Sequence, residues 1–332
     1  MFLARSLHNT VTHSTLKTIA VVITTYNRAS VVGRAIKSVL RQTLLPNEII
    51  VVDDGSDDNT EAAISQFMRR IRYIRTKNQG VSRSRNLAIL KSTSDWICFL
   101  DSDDIWHPRK LELQNFALLL TQTRICFCRS IDESGIPLDD IDDGTLNISD
   151  PILLKRGPLD TTLLKTDRHV FIQSAFVDRN LLLECNLFDE SLHVAEDTKL
   201  VYLLSLEYKY VIINQYLVGV SRKPSRVGLS ENKNLPAMQT RYECYRRVQS
   251  DILNRPINFD KETQNLLERR IIYFRSRESE IFLKRGKLNE SLTAAKHCFS
   301  QSSSFHVQLR CIKIFFIYFH KFIFQNKFIY CI

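Results

Sequence analysis

A chain of 332 residues with 44% apolar and 25% charged side chains has the composition of a folded protein, which excludes extended disorder, collagen and a continuous coiled coil. Lys and Arg number 46 against 36 Asp and Glu, yet residues 1–150 carry 18 of each sign and residues 151–240 carry 11 and 10. The last 92 residues carry 17 and 8, so nine of the ten excess charges sit there, a pattern that excludes a uniformly basic nucleic-acid binder and describes a neutral body with a cationic appendage.

Residues 1–17 hold no sustained apolar run of the sort a secretory signal needs and read as a tail. Strand and helix signals then alternate. Ile19 to Thr24 is a β-branched run that breaks at Tyr26-Asn27-Arg28, and Arg34 to Gln42 has the spacing of an amphipathic helix. Glu48 to Val52 reads as a second buried strand. Asp58 with Glu61 three residues on has the form of a capping box opening a helix to about Arg70. A weaker strand at Arg72 to Arg75, a helix at Val81 to Lys91 and a strand at Trp96 to Leu100 complete a βαβαβαβ series, which predicts a mostly parallel sheet with helices on both faces. The Gly-, Pro- and acid-rich stretch from Ile131 to Asp150 reads as a solvated loop, because its acids lack calcium-loop spacing. A strand at His169 to Phe176 and helices at Asp178 to Glu184 and Thr198 to Glu207 follow, and Arg270 to Phe299 reads as a helical hairpin turning at Gly286.

The eight cysteines are scattered, mostly within apolar runs, and read as reduced core residues. Cys126 and Cys128 have no second pair nearby, which argues against zinc. No stretch reaches about 18 uncharged apolar residues, the length a membrane-spanning helix needs.

Open sheets bind ligands where strands end and crossovers diverge. Those ends read Thr24-Thr25-Tyr26-Asn27, Asp53-Asp54-Gly55-Ser56 and Asp101-Ser102-Asp103-Asp104. Paired carboxylates separated by one residue suit a divalent cation, Mg2+ or Mn2+, that also grips phosphates. Neither a Walker loop nor a dinucleotide Gly-x-Gly-x-x-Gly follows any strand, so a nucleotide is expected in a base slot and on a metal instead of a glycine nest.

Five blocks carry a resemblance: Val22-Ile-Thr-Thr-Tyr-Asn27, Ser38-Val-Leu-Arg-Gln-Thr43, Glu48-Ile-Ile-Val-Val-Asp-Asp-Gly-Ser-Asp57, Asn78-Gln-Gly-Val-Ser-Arg-Ser-Arg-Asn86 and Phe99-Leu-Asp-Ser-Asp-Asp104. Together and in this order they resemble family 2 glycosyltransferases of the GT-A fold, of the type that builds bacterial cell-surface polysaccharides. The resemblance implies that Tyr26 stacks on a nucleotide base with Thr24 beside it. It implies that Asp54, next to Asp53, accepts a hydrogen bond from base or ribose, and that Arg85 and Asn86 border the nucleotide. Asp101 and Asp103 match the family's Asp-x-Asp motif, with Ser102 between them. Asp103 is then the direct metal ligand, and Asp101 lies nearer the ribose. The general base of an inverting transfer matches the Glu196-Asp197 pair, with Asp197 the better choice and Asp189 and Glu190 competing; the Gly often found before the pair is replaced by Ala195. Arg222, Lys223 and Arg226 resemble, irregularly, a loop that closes over the diphosphate.

Residues 305–332 hold nine of the 32 aromatic side chains. On a helix, Arg310, Lys313, His320, Lys321 and Lys327 share one side and Ile312, Phe315, Phe316, Phe319, Phe322 and Ile323 the other, the pattern of an interfacial helix on an anionic membrane or of a packed terminal helix. The expected organisation is a tail at 1–17, a catalytic domain at 18–240 divided at 110 into donor and acceptor halves, and a basic helical region at 241–332. The expected activity is metal-dependent, inverting transfer from a nucleotide diphospho-sugar, UDP-sugar first, to a saccharide or lipid-linked acceptor in lipopolysaccharide, O-antigen or capsule synthesis. It would take place in the cytoplasm, on the inner face of the membrane and without nucleic acid. The alternatives are an inactive nucleotide-sugar or glycan-binding membrane-associated protein, and a sugar-phosphate nucleotidyltransferase lacking its usual glycine-rich start.

Overall fold

A computed structural model describes residues 17–132, 153–156, 171–221 and 234–327. The described residues divide into two compact units, one made of 17–132, 153–156, 171–187 and 208–221, the other of 188–207 and 234–327. The sequence reading put 188–207 in the domain that ends at 240, whereas the units group this segment with the C-terminal helices.

The first unit is built on a nine-stranded sheet. Strands β1 (Ile19–Thr25), β2 (Glu48–Asp53), β3 (Arg72–Arg75) and β4 (Trp96–Asp101) are parallel, in the order β3-β2-β1-β4. Helices α1 (Val32–Leu40), α2 (Thr60–Ile64) and α3 (Val81–Lys91) connect them, as the alternating signals predict. Every residue of β1 is buried, which explains its unbroken apolar run: a central parallel strand is covered on both faces. Helix α1 buries Val32, Ala35, Ile36 and Val39, one stripe at helical spacing. β3 is the edge, with Arg72 and Arg75 exposed at its ends.

Beyond β4 come β5 (Ile105–Trp106), helix α4 (Lys110–Thr121), β6 (Ile125–Asp132), β7 (Leu153–Arg156), β8 (Phe176–Asp178) and β9 (Tyr210–Val220), with the short helix α5 (Arg179–Glu184) between β8 and β9. β8 runs antiparallel between β4 and β6, β9 is parallel to β6, and β5 and β7 pair antiparallel with β9. Two expectations are corrected. The strand read at His169 to Phe176 is a 3-10 turn at Ile172–Ser174 followed by three-residue β8, and His169 lies outside the described residues. The helix read from Asp58 to Arg70 stops at Ile64 and tightens to a 3-10 turn at Ser65–Phe67, and the expected capping box does not form at its start. Asp58 instead accepts from Thr60 and from the Ala29 amide at 3.0 Å, while Glu61 turns to Arg75 at 3.1 Å.

The second unit is helical. Helix α6 (Glu196–Glu207) buries Tyr202, Leu203 and Leu206 with Cys244, Val248 and Ile252 of α7 (Leu235–Leu253) and Leu267 of α8 (Lys261–Lys284). Side-chain caps start two of these helices: Asn234 accepts from the Ala237 amide at 2.8 Å and Asp260 from the Thr263 amide at 2.7 Å. The expected hairpin is present as α8 and α9 (Leu288–Gln301), turning at Gly286 with φ +75°. Helix α10 (Phe305–Lys327) packs Val307, Cys311 and Ile314 against Ala295 and Cys298. The seven described cysteines are free and buried, in keeping with the sequence reading. No helix among the described residues is long and apolar enough to cross a membrane.

Candidate active site

Strand order in the first unit reverses between β1 and β4, with β2 and β3 on one side and β4 on the other, so the crevice favoured by open sheets opens at their carboxyl ends. Register sets the residues there. Thr24 lies opposite Asp101 on one side, and Thr25 opposite Asp53 on the other. The three polar strand ends singled out in the sequence therefore abut.

Asn27, with φ +52°, organises the first end. Its amide donates to Ser56 Oγ at 2.9 Å, and its side-chain oxygen accepts from the Asp57 amide at 2.8 Å, tying the end of β1 to the loop after β2. Thr24 is buried beneath this turn, while Tyr26 emerges from it with a relative exposure of 40%, an aromatic face open to solvent at the strand end.

Asp53 and Asp54 are buried and engaged within the protein. Asp53 accepts from the Ser56 amide at 2.8 Å and from the Tyr73 hydroxyl at 2.8 Å; burial, then the bond to Asp53, pushes the Tyr73 phenol up from its ordinary value. Asp54 accepts from the Gln79 amide at 2.9 Å and from the Gly80 amide at 2.8 Å, so it anchors the turn that opens α3. The peptide between them and that turn leaves no room: a Cβ on Gly55, whose φ is +82°, would sit 2.8 Å from the Asn78 nitrogen.

Helix α3 buries Ser82, Ser84, Arg85 and Asn86, an unusually polar inner face. Arg85 answers the acidic strand end, with Nη2 2.8 Å from Asp101 Oδ1. With a relative exposure of 4%, Arg85 is a buried cation and not a solvated surface arginine. Gln173 supplies the other partner of this motif, donating to Asp104 Oδ2 at 2.6 Å and to Asp101 Oδ2 at 3.3 Å. Asp104 also accepts from the Ser221 amide at 2.9 Å. Burial, and then the charges of Asp101 and Asp103, push the Asp104 carboxyl well above the usual range. Ser102 is buried, whereas Asp103 is partly open, its Oδ2 lying 3.7 Å from Arg28 Nε. The sequence reading missed Arg28, Gln173 and Tyr73. Arg28 directly follows the first block and was within its reach; Gln173 meets Asp101 across 72 positions and carries no local signal.

Glu196 and Asp197 open α6 in the second unit. Glu196 is buried; Asp197 is half-buried and accepts from the Thr198 amide at 2.7 Å. Ala195, just before them, has φ +65°, so the left-handed turn usual for Gly is kept on a residue with a Cβ. Asp189, a competing base, is committed elsewhere. Burial opposes its ionisation, but Lys199 at 2.8 Å and Ser191 outweigh that and hold its carboxyl at about 2. Arg222, Lys223 and Arg226 lie outside the described residues.

The family model for "Glycosyl transferase family 2" matches residues 20–135, the segment that carries these strand ends. This segment, about a third of the chain, is similar to glycosyl transferase family 2. An uncharacterized glycosyltransferase of Rickettsia bellii is 31% identical over 217 residues, 63% of this chain and 28% of that protein. The Escherichia coli UDP-Glc:alpha-D-GlcNAc-diphosphoundecaprenol beta-1,3-glucosyltransferase WfgD is 37% identical over 98 residues, 29% of this chain and 39% of WfgD. The chain thus spans well under half the length of these two curated relatives. Among solved structures, S. aureus TarS 1–349 in complex with UDP-GlcNAc superposes with a TM-score of 0.58 at 18% identity, covering 90% of this chain and 79% of that one. The fold is GT-A.

Proposed function

We propose that this chain is an inverting, divalent-cation-dependent glycosyltransferase. It moves a sugar from a nucleotide diphospho-sugar, UDP-sugar first, to a saccharide or lipid-linked acceptor of a cell-surface glycan such as lipopolysaccharide, O-antigen or capsule, at the inner face of the cytoplasmic membrane. The observation that carries the reading is the meeting of three polar strand ends at the reversal of strand order. There Asp101 is held by Arg85 and Gln173, Asp103 is left partly open, and the Tyr26 ring is exposed. The UDP preference leans on WfgD, named for UDP-Glc, and on the TarS complex with UDP-GlcNAc; the lipid-linked acceptor leans on WfgD alone.

In this reading Tyr26 stacks on the base, Thr24 and Ser102 line the slot, and Arg85 and Asn86 border the nucleotide. Asp53 and Asp54 act by fixing the loops around it, since their oxygens already accept from Ser56, Tyr73, Gln79 and Gly80. The donor set fits a cation of the Mg2+ or Mn2+ class. Among the described residues no three or more His, Cys, Asp or Glu gather as a ready-made cage, and this class is held by one or two carboxylates plus substrate phosphates. Asp103, with Asp101, would hold it. When bound, the cation supplies Lewis-acid stabilisation to the diphosphate leaving group. Asp197 takes the proton of the acceptor hydroxyl as that oxygen bonds to the anomeric carbon and the bond from that carbon to the diphosphate breaks. Arg222, Lys223 and Arg226 steady the departing phosphates.

Calorimetric titration of UDP, GDP, dTDP and CMP, with and without Mn2+, on the native protein and Asp103→Ala tests the donor half. One nucleotide should bind, with an affinity that depends on both Mn2+ and Asp103. Failure of all four to bind folded protein, or binding indifferent to Asp103, refutes the reading.

A further inference from the structure

Helix α10 is apolar on two faces, and among the described residues only one is covered. Val307, Cys311 and Ile314 are buried against α9, and Arg310 is spent on Glu280 at 2.8 Å and Ser276 at 2.7 Å. On the other face Phe305, Leu309, Ile312 and Phe316 have relative exposures of 70%, 51%, 37% and 71%. These four follow spacings of four, three and four residues, one stripe about 16 Å long at 1.5 Å per residue. The sequence continues the same spacing through Phe319 and Ile323. Beside the stripe runs a second series of period seven, His306, Lys313, His320 and Lys327, all basic or titratable to basic. The last acidic residue of the chain is Glu290.

Charge decides what covers this stripe. A second copy meeting it as a coiled coil places the His and Lys series in the flanking positions that opposite charges normally fill, and neither helix has an acid to offer there. An anionic bilayer surface offers the complementary charge to every member of the series, while its acyl boundary accepts Phe305, Leu309, Ile312 and Phe316. We infer that α10 lies in the interface of an anionic lipid membrane, its exposed apolar stripe turned into the bilayer and its His306 and Lys313 side chains at the headgroups. The inference stands on the tail alone and survives a failure of the transferase reading, although it gives that reading a reason to meet a lipid-linked acceptor.

The test is co-sedimentation of the full chain with phosphatidylcholine vesicles made with or without phosphatidylglycerol. The native protein should pellet only with the anionic vesicles, and should be released near 1 M salt, where the screening length falls to about 3 Å. Leu309→Ser/Phe316→Ser should lower the partition coefficient at least about tenfold, since each large apolar side chain contributes about that much on burial. Its unfolding midpoint and nucleotide affinity should stay unchanged. Lys313→Glu, which removes no apolar area, should lower partitioning too. The inference is overturned if native protein stays in the supernatant with anionic vesicles, if both variants pellet as well as it does, or if sedimentation velocity shows a dimer that the double variant abolishes.

Discussion

Gly55→Ala isolates the geometry that joins the acidic end of β2 to the start of α3. At φ +82° an alanine bears about 1–2 kcal/mol of left-handed strain. Its Cβ also arrives 2.8 Å from the Asn78 nitrogen and 3.1 Å from the Thr76 oxygen, both backbone, so the 76–80 turn must recoil. That turn is held by bonds from the Gln79 and Gly80 amides to Asp54, and a hydrogen bond to a charged acceptor contributes about 1.5–3 kcal/mol. Losing one of them as well as bearing the strain puts the total at about 2.5–5 kcal/mol. Gly286→Ala is the control: its φ is +75° but nothing lies within 4 Å of the added Cβ, so only the strain of about 1–2 kcal/mol applies. Urea unfolding followed by circular dichroism compares the two variants. Trp96 and Trp106, the chain's two tryptophans, both lie in the first unit and report it by fluorescence. Equal losses in the two variants, or a Gly55→Ala midpoint indistinguishable from that of the native protein, would refute the argument from close approach.

Asp197→Asn should lower kcat by about 10²–10⁴ while leaving the dissociation constant of the nucleotide unchanged; full activity would move the base elsewhere. Arg246→Ala leaves Glu278, 2.9 Å from it and buried, without its cation, and should cost about 3 kcal/mol near neutral pH. Burial already raises the Glu278 carboxyl above 4.5, so the folded chain keeps this proton to higher pH than the unfolded one and stability falls as pH rises through that window. The variant's deficit should therefore shrink on acidification, and a deficit that grows instead contradicts the assignment. For Asp189, held at about 2 by Lys199 and Ser191, the sign is opposite: its contribution is complete above about 4 and disappears as pH falls through about 2. Lys199→Met should flatten that acid limb in a pH series of unfolding curves, and an unchanged limb would reject the pair as its source.

Local chemistry made the parallel half of the sheet readable. β1, β2 and β4 are continuous β-branched or apolar runs, each ending in polar residues; short crossovers account for β1, β2 and β3 as successive neighbours, but not for β4, which passes β3 and β2 to pair with β1. β8 was not readable because three residues, Phe176–Asp178, carry no periodicity and depend on the neighbours β4 and β6 for their pairing. The start of α2 was misread because Asp58 accepts from Ala29 and Thr60 and Glu61 turns to Arg75, so the two do not form the expected box. In the site, residues adjacent within a block were legible, whereas Gln173 reaches Asp101 and Asp104 only through the fold. In α10 apolar residues flank the basic side in both directions around the helix, so nothing short of packing could tell that Val307, Cys311 and Ile314 turn inward and Phe316 does not.

The concealed thiols give each unit a built-in clock. Cys98, Cys126, Cys128 and Cys185 belong to the sheet unit and Cys244, Cys298 and Cys311 to the helical one, all buried and unbridged. Burial pushes the Cys98 thiol up to about 12, so it stays both covered and protonated until its surroundings open. In a Cys331→Ser background, the rate at which a thiol reagent modifies each cysteine then measures how often its own unit opens, and peptide mapping reads the two units apart in a single native sample.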